Sequence, residues 1–254
     1  MFEGASDGAQ ARVQLLGNGE LDLFGLTNPG LTIGSLEGDG IVVLFGYSLT
    51  IGSNNLSTKF SGVIRAGGPI IKIGSGTLTL NGANTYARGT TLSEGFLRVD
   101  NKTGSGTGTG AAQVNGGVLG GGGIMSGNVT VGSGNGPGAT IAPGTGANTL
   151  TTQGTLTFNA DGSYLWRVRA KGPNSDKLVA NGVTIEGGAQ ITGLGRGTLT
   201  AGTMFTAINN TAATPIAGTF GNLPDGGTLQ IGNNTYQANY EGGDGNDLTL
   251  TVVE

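Results

Sequence analysis

Acidic side chains are the residues of this sequence that could most readily do chemistry. Two pairs, Glu20/Asp22 and Glu37/Asp39, are offset by 17 residues. If they stacked on neighbouring strands, about 5 Å apart, four carboxylates could bind Ca²⁺ or catalyse the acid/base hydrolysis of a sugar. The alternative is structural: the first pair alternates with leucines as the solvated face of a strand, and Glu-Gly-Asp is typical of a turn. We favour the structural interpretation and expect no catalytic residue and no bound metal.

A second acidic motif lies near the end of the chain, in GGDGNDLTL at residues 242–250. Asp244 and Asp247 fit the Gly-Gly-x-Gly-x-Asp opening of the calcium-binding β-roll nonapeptide. However, Thr249 stands where that motif needs a large apolar residue, and there is one copy, whereas such sites form between successive copies. The pattern favours a turn that leads into the last strand.

Several classes of function are excluded by residues that the chain lacks. It has no histidine and no cysteine, so Ser-His-Asp or Cys-His catalysis and thiolate metal sites are impossible. It contains no complete phosphate-binding glycine motif. The net charge is −4, with only 12 Lys and Arg, which argues against nucleic acid as a partner. We expect a protein that is not an enzyme and has no cofactor.

The composition favours an all-β protein. Glycine occurs 54 times and only 11% of the residues are charged, while β-branched and aromatic residues recur to the end of the chain, which argues against both long helices and disorder. The longest apolar run, Ile41–Phe45, is too short to cross a bilayer. We recognise no signal peptide at the start of the sequence. If the protein is exported, we therefore expect this sequence to be a trimmed piece of it.

A five-residue phrase suggests how the strands are arranged. LTIGS occurs at Leu31–Ser35 and Leu49–Ser53, and IKIGS at Ile71–Ser75, at intervals of 18 and 22 residues. Such a repeat is close to one turn of a β-solenoid, although an antiparallel sandwich is the alternative. We expect the first apolar residue of each phrase to stack inside, and Thr32, Thr50 and Lys72 to lie outside. The structural residues of the repeat are Leu31, Ile33, Leu49, Ile51, Ile71, Ile73, Leu78, Leu80, Asn84 and Tyr86.

The amino-acid composition of the chain changes near residue 150. Before it, residues 101–148 are richest in glycine; after it, aromatic residues return, and Tyr164, Trp166 and Val168 share one face of a clean alternation. We therefore expect a solenoid over residues 1–150 and a continuation or capping module over 151–254.

Asparagine recurs at positions that suit the corners of coils, including Asn84, Asn128 and the pairs 54–55, 209–210 and 233–234. Asparagine tolerates left-handed backbone and can form hydrogen-bonded ladders. We favour this structural role over carbohydrate binding. Sugar sites normally use exposed aromatic rings, and the chain has only 14 Trp, Tyr and Phe residues in total.

Residues 33–99 resemble the autotransporter-associated β-strand repeat of bacterial passenger regions. The most specific part is GSGTLTLNGANTY at residues 74–86, followed by a Thr-Thr strand and an L-x-V strand; the later SDKLVANGVTI and YEGGDGNDLTLTV resemble segments that follow that repeat. One departure is Arg88, where the family usually has glycine. The resemblance implies a right-handed parallel β-helix, located outside the cell or on the bacterial surface.

The resemblance also implies a structural or adhesive function with a surface ligand or matrix as partner. The ligand is not named by the sequence. Two alternatives remain open, namely a polysaccharide-acting enzyme that uses Glu20, Asp22, Glu37 and Asp39, and a self-assembling fibre subunit. We expect a monomer, with end-to-end assembly possible through exposed strand edges.

Overall fold

The computed structural model describes residues 7–144, 148–169 and 174–253, which form 28 β-strands in four sheets. The first sheet contains β1 (Arg12–Leu15), β4 (Ser35–Gly38), β7 (Thr58–Phe60), β10 (Thr77–Leu80), β12 (Phe96–Val99), β14 (Gly117–Gly121), β17 (Ala139–Ala142), β20 (Gly162–Arg169), β21 (Asn174–Ser175) and β24 (Gln190–Arg196). The second sheet contains β3 (Gly30–Ile33), β6 (Ser48–Ile51), β9 (Ile70–Lys72), β11 (Thr90–Leu92), β13 (Ala112–Val114), β16 (Val129–Val131), β19 (Leu156–Phe158) and β23 (Val183–Ile185).

The two remaining sheets occupy the third side of the molecule. The third sheet contains β2 (Glu20–Asp22), β5 (Ile41–Val43) and β8 (Val63–Arg65). The fourth contains β15 (Ile124–Met125), β18 (Thr149–Thr152), β22 (Lys177–Ala180), β25 (Met204–Asn210), β26 (Thr228–Ile231), β27 (Asn234–Gly242) and β28 (Asp247–Val252).

Successive coils stack in parallel, and this confirms the predicted β-solenoid. Each coil contributes one strand to the first sheet and one to the second, so β4, β5 and β6 follow one another around a coil while β3, β6 and β9 lie side by side. The two LTIGS phrases pair as expected, with Leu31 opposite Leu49 and Ile33 opposite Ile51. These four side chains are buried and the threonines between them are half-buried, because alternate residues of a strand point to opposite faces.

The third phrase is shifted by one residue from our prediction. Leu49 pairs with Ile70 and Ile51 with Lys72, so Ile70 and Lys72 lie inside, whereas Ile71 and Ile73 are half-buried on the other face. The expected stacking of Ile71 inside and Lys72 outside was therefore wrong. The pairing register overrides the apparent phrase, since a one-residue slip exchanges the two faces of a strand.

Within the described residues, two coils form no strand on the third side of the solenoid. Asparagine side chains connect these coils to their neighbours by hydrogen bonds instead. The Asn84 side chain accepts a hydrogen bond from the Ile64 N–H (2.8 Å) and donates one to the Gly106 carbonyl (2.7 Å). Asn101 likewise accepts from the Ile124 N–H (3.0 Å) of the next coil. These bonds run from side chain to backbone between coils, in place of the predicted ladder between asparagine side chains.

Glycine at two corners of the first sheet allows the coils to approach closely. Gly38 has φ +103° and Gly121 has φ +113°, and a Cβ on either would lie about 2 Å from the carbonyl oxygen of the paired residue, Leu15 or Val99. A side chain could not be placed at either position without moving the backbone. Arg88 stands where the family usually has glycine, but the positive φ at this corner belongs to Gly89 (+81°). Arg88 therefore needs no left-handed conformation.

Parallel pairing continues past residue 150, apart from the short antiparallel pair β20–β21, and changes to antiparallel at β25. β18 pairs in parallel with β22, and β22 with β25, but β25 pairs with β28, and β27 with β26 and β28, in antiparallel register. Around this transition, Trp166 packs edge-on against Phe205 and Tyr236 at centroid distances of 5.6 and 5.2 Å. The division into two units near residue 150 stays a prediction.

Candidate functional site

The four acidic residues singled out in the sequence do not form a cluster. β2 pairs with β5, which places Glu20 opposite Ile41, whereas Glu37 lies in β4 opposite Gln14 in the first sheet. The stacking of the two pairs, the alternative that we did not favour, does not occur, because the coil that begins at Glu20 is longer than their offset. Within the described residues, no group of three or more His, Cys, Asp or Glu could hold a metal ion.

Each of these carboxylates has a partner of its own. Glu37 forms an ion pair with Arg12, and the hydrogen bond from Arg12 lowers the pKa of Glu37. Asp22 accepts a hydrogen bond from the Phe24 N–H (2.7 Å), and Asp39 accepts one from the Gly17 N–H (2.8 Å).

Glu20 is the most weakly held, 4.0 Å from Arg65. The arrangement is that of strand faces and turns.

The acidic motif near the C-terminus forms the turn of the β27–β28 hairpin. Gly242 pairs with Asp247, and the Gly245 N–H donates to the Gly242 carbonyl at 2.9 Å. Asp247 is buried and accepts a hydrogen bond from the Asn210 N–H (2.9 Å). Burial raises the pKa of Asp247, and that hydrogen bond opposes the shift.

The most specific part of the repeat forms a buried polar contact between coils. The Tyr86 hydroxyl lies 2.6 Å from the Thr90 hydroxyl, and Thr90 donates to the Thr107 carbonyl at 3.1 Å. Tyr86 is fully buried, which raises the pKa of its hydroxyl. Together with Asn84, Tyr86 fastens this coil to its neighbours.

Two buried charged residues were missed by the sequence reasoning. Lys72 is 1% exposed, and its amine donates to the carbonyls of Ile73 (2.6 Å), Gly74 (2.7 Å) and Glu94 (3.3 Å). Burial lowers the pKa of Lys72 to about 8, and the charge of Glu94 opposes the shift.

The second is Asp176, which is fully buried beside Arg167. Burial raises the pKa of Asp176 to about 6, although a hydrogen bond from the Asn148 N–H and the Arg167 charge oppose the shift. No local pattern could reveal either residue, because each depends on the coil stacked against it.

Asp161 also has a structural role that the sequence did not suggest. Its carboxylate accepts hydrogen bonds from the N–H groups of Ser133 (3.2 Å), Gly134 (2.7 Å) and Gly136 (2.8 Å), one coil earlier. Burial alone would raise the pKa of Asp161, but these hydrogen bonds outweigh it and the pKa is lowered. Asp161 thus holds the glycine-rich loop between β16 and β17.

Among the described residues, two neighbouring hollows lie on the outward face of the first sheet. The first, of about 400 Å³, is polar and lies over β1, β4, β7 and β10; its lining includes Gln14, Glu37, Lys59, Thr77 and Thr79. It has no aromatic or apolar side chain among its lining residues. The hydroxyl, amide and charged groups make it suited to a ligand rich in hydrogen-bonding groups.

The second hollow, of about 140 Å³, begins at β10 and crosses β12, β14 and β17. Thr77, Phe96 and Arg98 lie at one side, Arg167 lies at the other, and Gly120 and Ala142 form part of the floor. Because Thr77 lines both hollows, the two adjoin on this face of the sheet. We name the two adjoining hollows together the first-face groove.

Comparisons with known proteins agree with this fold. Residues 70–99, which span β9 to β12, match the family model described as passenger-associated-transport-repeat. The chain is also 39% identical over 95 residues to the Adhesin BmaC autotransporter of Brucella suis biovar 1 (strain 1330). Over these residues the chain is similar to an autotransporter passenger region. The aligned part covers 34% of the chain but only 3% of the adhesin.

This similarity supports the location outside the cell or on its surface that the resemblance predicted. No helix formed by the described residues is both long and apolar enough to span a membrane.

Proposed function

We propose that the chain is a non-enzymatic structural and adhesive passenger module of a bacterial surface protein. The observation that carries this proposal is the unbroken parallel stack of the first sheet from β1 to β24. Nine strands with a spacing of about 4.8 Å give a body roughly 40 Å long. Such a body separates what it carries from the cell and leaves a continuous outward face available for contact.

The separation of the acidic residues also supports a non-enzymatic role. Polysaccharide hydrolysis needs two carboxylates about 5–10 Å apart with different protonation states, but Glu20 and Glu37 lie in different sheets. Each of the four acidic candidates has its own N–H or arginine partner. Their geometry therefore favours surface and turn roles over catalysis.

Adhesion is supported by the similarity of part of the chain to a protein named an adhesin. The test is to attach the purified full chain to fluorescent beads and to count the beads retained by cultured epithelial cells and by deposited extracellular matrix. We expect retention above that of beads carrying the heat-unfolded chain. Retention equal to that control would contradict the adhesive role.

A parallel assay tests the absence of catalysis. The wild-type chain and a variant with alanine at Glu20, Asp22, Glu37 and Asp39 are incubated with polygalacturonate, and new reducing and unsaturated ends are measured. We expect none from either protein. Depolymerisation by the wild type that is lost in the variant would replace the structural proposal with an enzymatic one.

We further propose that residues 151–254 act as a unit that closes the solenoid and keeps the chain monomeric. The antiparallel strand pairs β25–β28 and β26–β27 support this, because they end the parallel stacking. A chain that ends at Asn148 is expected to aggregate or assemble end to end in light scattering, while the full chain stays monomeric at the same concentration. A monomeric truncated chain would contradict capping, and filaments of the full chain would favour a fibre subunit.

A further inference from the structure

A row of outward side chains crosses the first sheet along the axis of the coils. Gln14 is opposite Glu37, Lys59 is opposite Thr79, and Thr79 is opposite Arg98. Neighbouring residues of such a row are one strand spacing apart, about 4.8 Å. The row runs along the first-face groove, so a long ligand in the groove would meet a new side chain at each coil.

After Arg98 the row contains only small residues. Gly120 is opposite Arg98, and Ala142 is opposite Gly120. Three strand spacings, roughly 14 Å, therefore separate the strand of Arg98 from β20, which carries Arg167. This gap is the second hollow, and a guanidinium lies at each side of it.

Arg98 is held in a position that suits a carboxylate ligand. Its Nε atom donates to Asp100, whose other oxygen accepts a hydrogen bond from the Gly122 N–H (3.1 Å). Among the described residues, the two Nη atoms of Arg98 have no hydrogen-bond partner, and its side chain is 39% exposed. An arginine fixed at Nε can still offer the parallel N–H groups that bind a carboxylate in two places.

Phe96 adds an apolar surface beside this arginine. Its side chain is 48% exposed and is on the same outward face as Arg98, two residues along β12. It is opposite Thr77, where the two hollows join. An exposed ring beside hydroxyl groups can pack against the apolar face of a sugar while the hydroxyls bond its polar edge.

The chemistry of the groove favours a sugar chain over a peptide. An extended peptide usually binds a sheet by adding a strand at its edge, where backbone groups are free. The groove instead crosses the middle of the sheet, where β4, β7, β10, β12, β14 and β17 are each paired on both sides. Binding there must use side chains, and these are largely hydroxyl, amide and cationic groups, together with the Glu37 carboxylate, which is paired with Arg12.

We propose that the first-face groove binds an extended acidic glycan, with a carboxylate on the Nη atoms of Arg98 and a sugar ring against Phe96. The repeat length of a polysaccharide built of single sugar rings is close to the spacing of the strands, so consecutive sugars would lie on consecutive coils. Lys59 and Arg167 provide further cationic positions on the two sides of this contact. This inference rests on the adhesive function proposed above and names the class of ligand.

The test is calorimetric titration of the full chain with three probes of six residues each: hexagalacturonate, a neutral hexasaccharide and hexaglutamate. We expect the wild type to bind hexagalacturonate and to bind the other two probes at least tenfold more weakly. A tenfold difference in affinity is about what the loss of one charged hydrogen bond produces. Arg98→Gln should weaken hexagalacturonate binding roughly tenfold, and Phe96→Ala roughly threefold or more.

Matched controls separate the groove from general effects of charge and exposed rings. Arg65→Gln removes an arginine from the third sheet, and Phe24→Ala removes an exposed ring outside the groove; both should bind like the wild type. Near-ultraviolet circular dichroism checks that all four variants stay folded. Equal loss of binding in Arg98→Gln and Arg65→Gln would overturn the assignment to the groove.

The remaining outcomes distinguish this inference from the adhesive function. Equal affinity for the neutral hexasaccharide would overturn the role of the carboxylate, and equal affinity for hexaglutamate would make an acidic peptide the ligand. If none of the probes binds while beads carrying the chain still adhere to cells, the glycan inference is wrong and adhesion stands. If the beads do not adhere but hexagalacturonate binds through Arg98, the ligand class stands and the adhesive function is wrong.

Discussion

Replacing Lys72 by methionine should change how the stability of the protein depends on pH. Lys72 lies between Ile51 and Leu92 in an otherwise apolar column of the second sheet. Methionine has a similar length and no charge, so it can occupy the column without the cost of burying an amine. The carbonyls of Ile73, Gly74 and Glu94 would lose their donor, which offsets part of that gain.

The sign and the size of the effect follow from the pKa of Lys72. It is about 8 in the folded protein against 10.5 for an ordinary lysine, so between these values the unfolded chain binds more protons. The free energy of unfolding of the wild type must therefore rise as the pH increases from 8 towards 10.5. The full shift corresponds to roughly 3 kcal/mol, and solvent screening reduces the expected gain to about 1–2 kcal/mol.

Urea unfolding at pH 7, 8, 9 and 10 measures this gain in both proteins. The difference between the wild type and Lys72→Met should change by about 1–2 kcal/mol in favour of the wild type from pH 7 to pH 10. Lys59→Met, which removes an exposed lysine of β7, is the matched control and should show no such trend relative to the wild type. Parallel curves for the wild type and Lys72→Met would refute the buried amine as the cause.

Three other substitutions test the packing and the buried carboxylates. Trp166→Ala should cost about 3–5 kcal/mol and abolish most of the near-ultraviolet circular dichroism, because the indole is fully buried between two aromatic rings; a loss under 1 kcal/mol would contradict this packing. Asp161→Ala should accelerate hydrogen exchange at the amides of Ser133 and Gly134 roughly tenfold, since both lose their acceptor, and unchanged exchange would exclude the role of the carboxylate. Asp176 has a pKa raised to about 6, so its contribution to stability is greatest below pH 4 and is lost as the pH rises through 6. In urea unfolding, the free energy of unfolding of the wild type relative to Asp176→Asn should fall by about 1–2 kcal/mol between pH 4 and pH 7. A difference that stays constant with pH would contradict the raised pKa of Asp176.

The sequence by itself determined the fold class and the alternation of the first two coils. LTIGS places Leu31 and Ile33 on one face with a threonine between them, and glycine ends the strand; both are local properties of the backbone and side chains. The same holds for β20, where Tyr164, Trp166 and Val168 are buried on one face as predicted. The absence of histidine and cysteine likewise excluded whole classes of chemistry without any knowledge of the fold.

Only the tertiary structure decided which residues of different coils are neighbours. The length of each coil sets the pairing register, and a change of one residue turned Lys72 inward and Ile71 outward, while Glu20 came to lie opposite Ile41 instead of Glu37. The same dependence applies to the first-face groove, since Thr77, Arg98 and Gly120 are distant in the sequence and meet through strand pairing. Local sequence patterns carry no information about these distances, because the corners between strands vary in length and the hydrogen bonds between coils select one register.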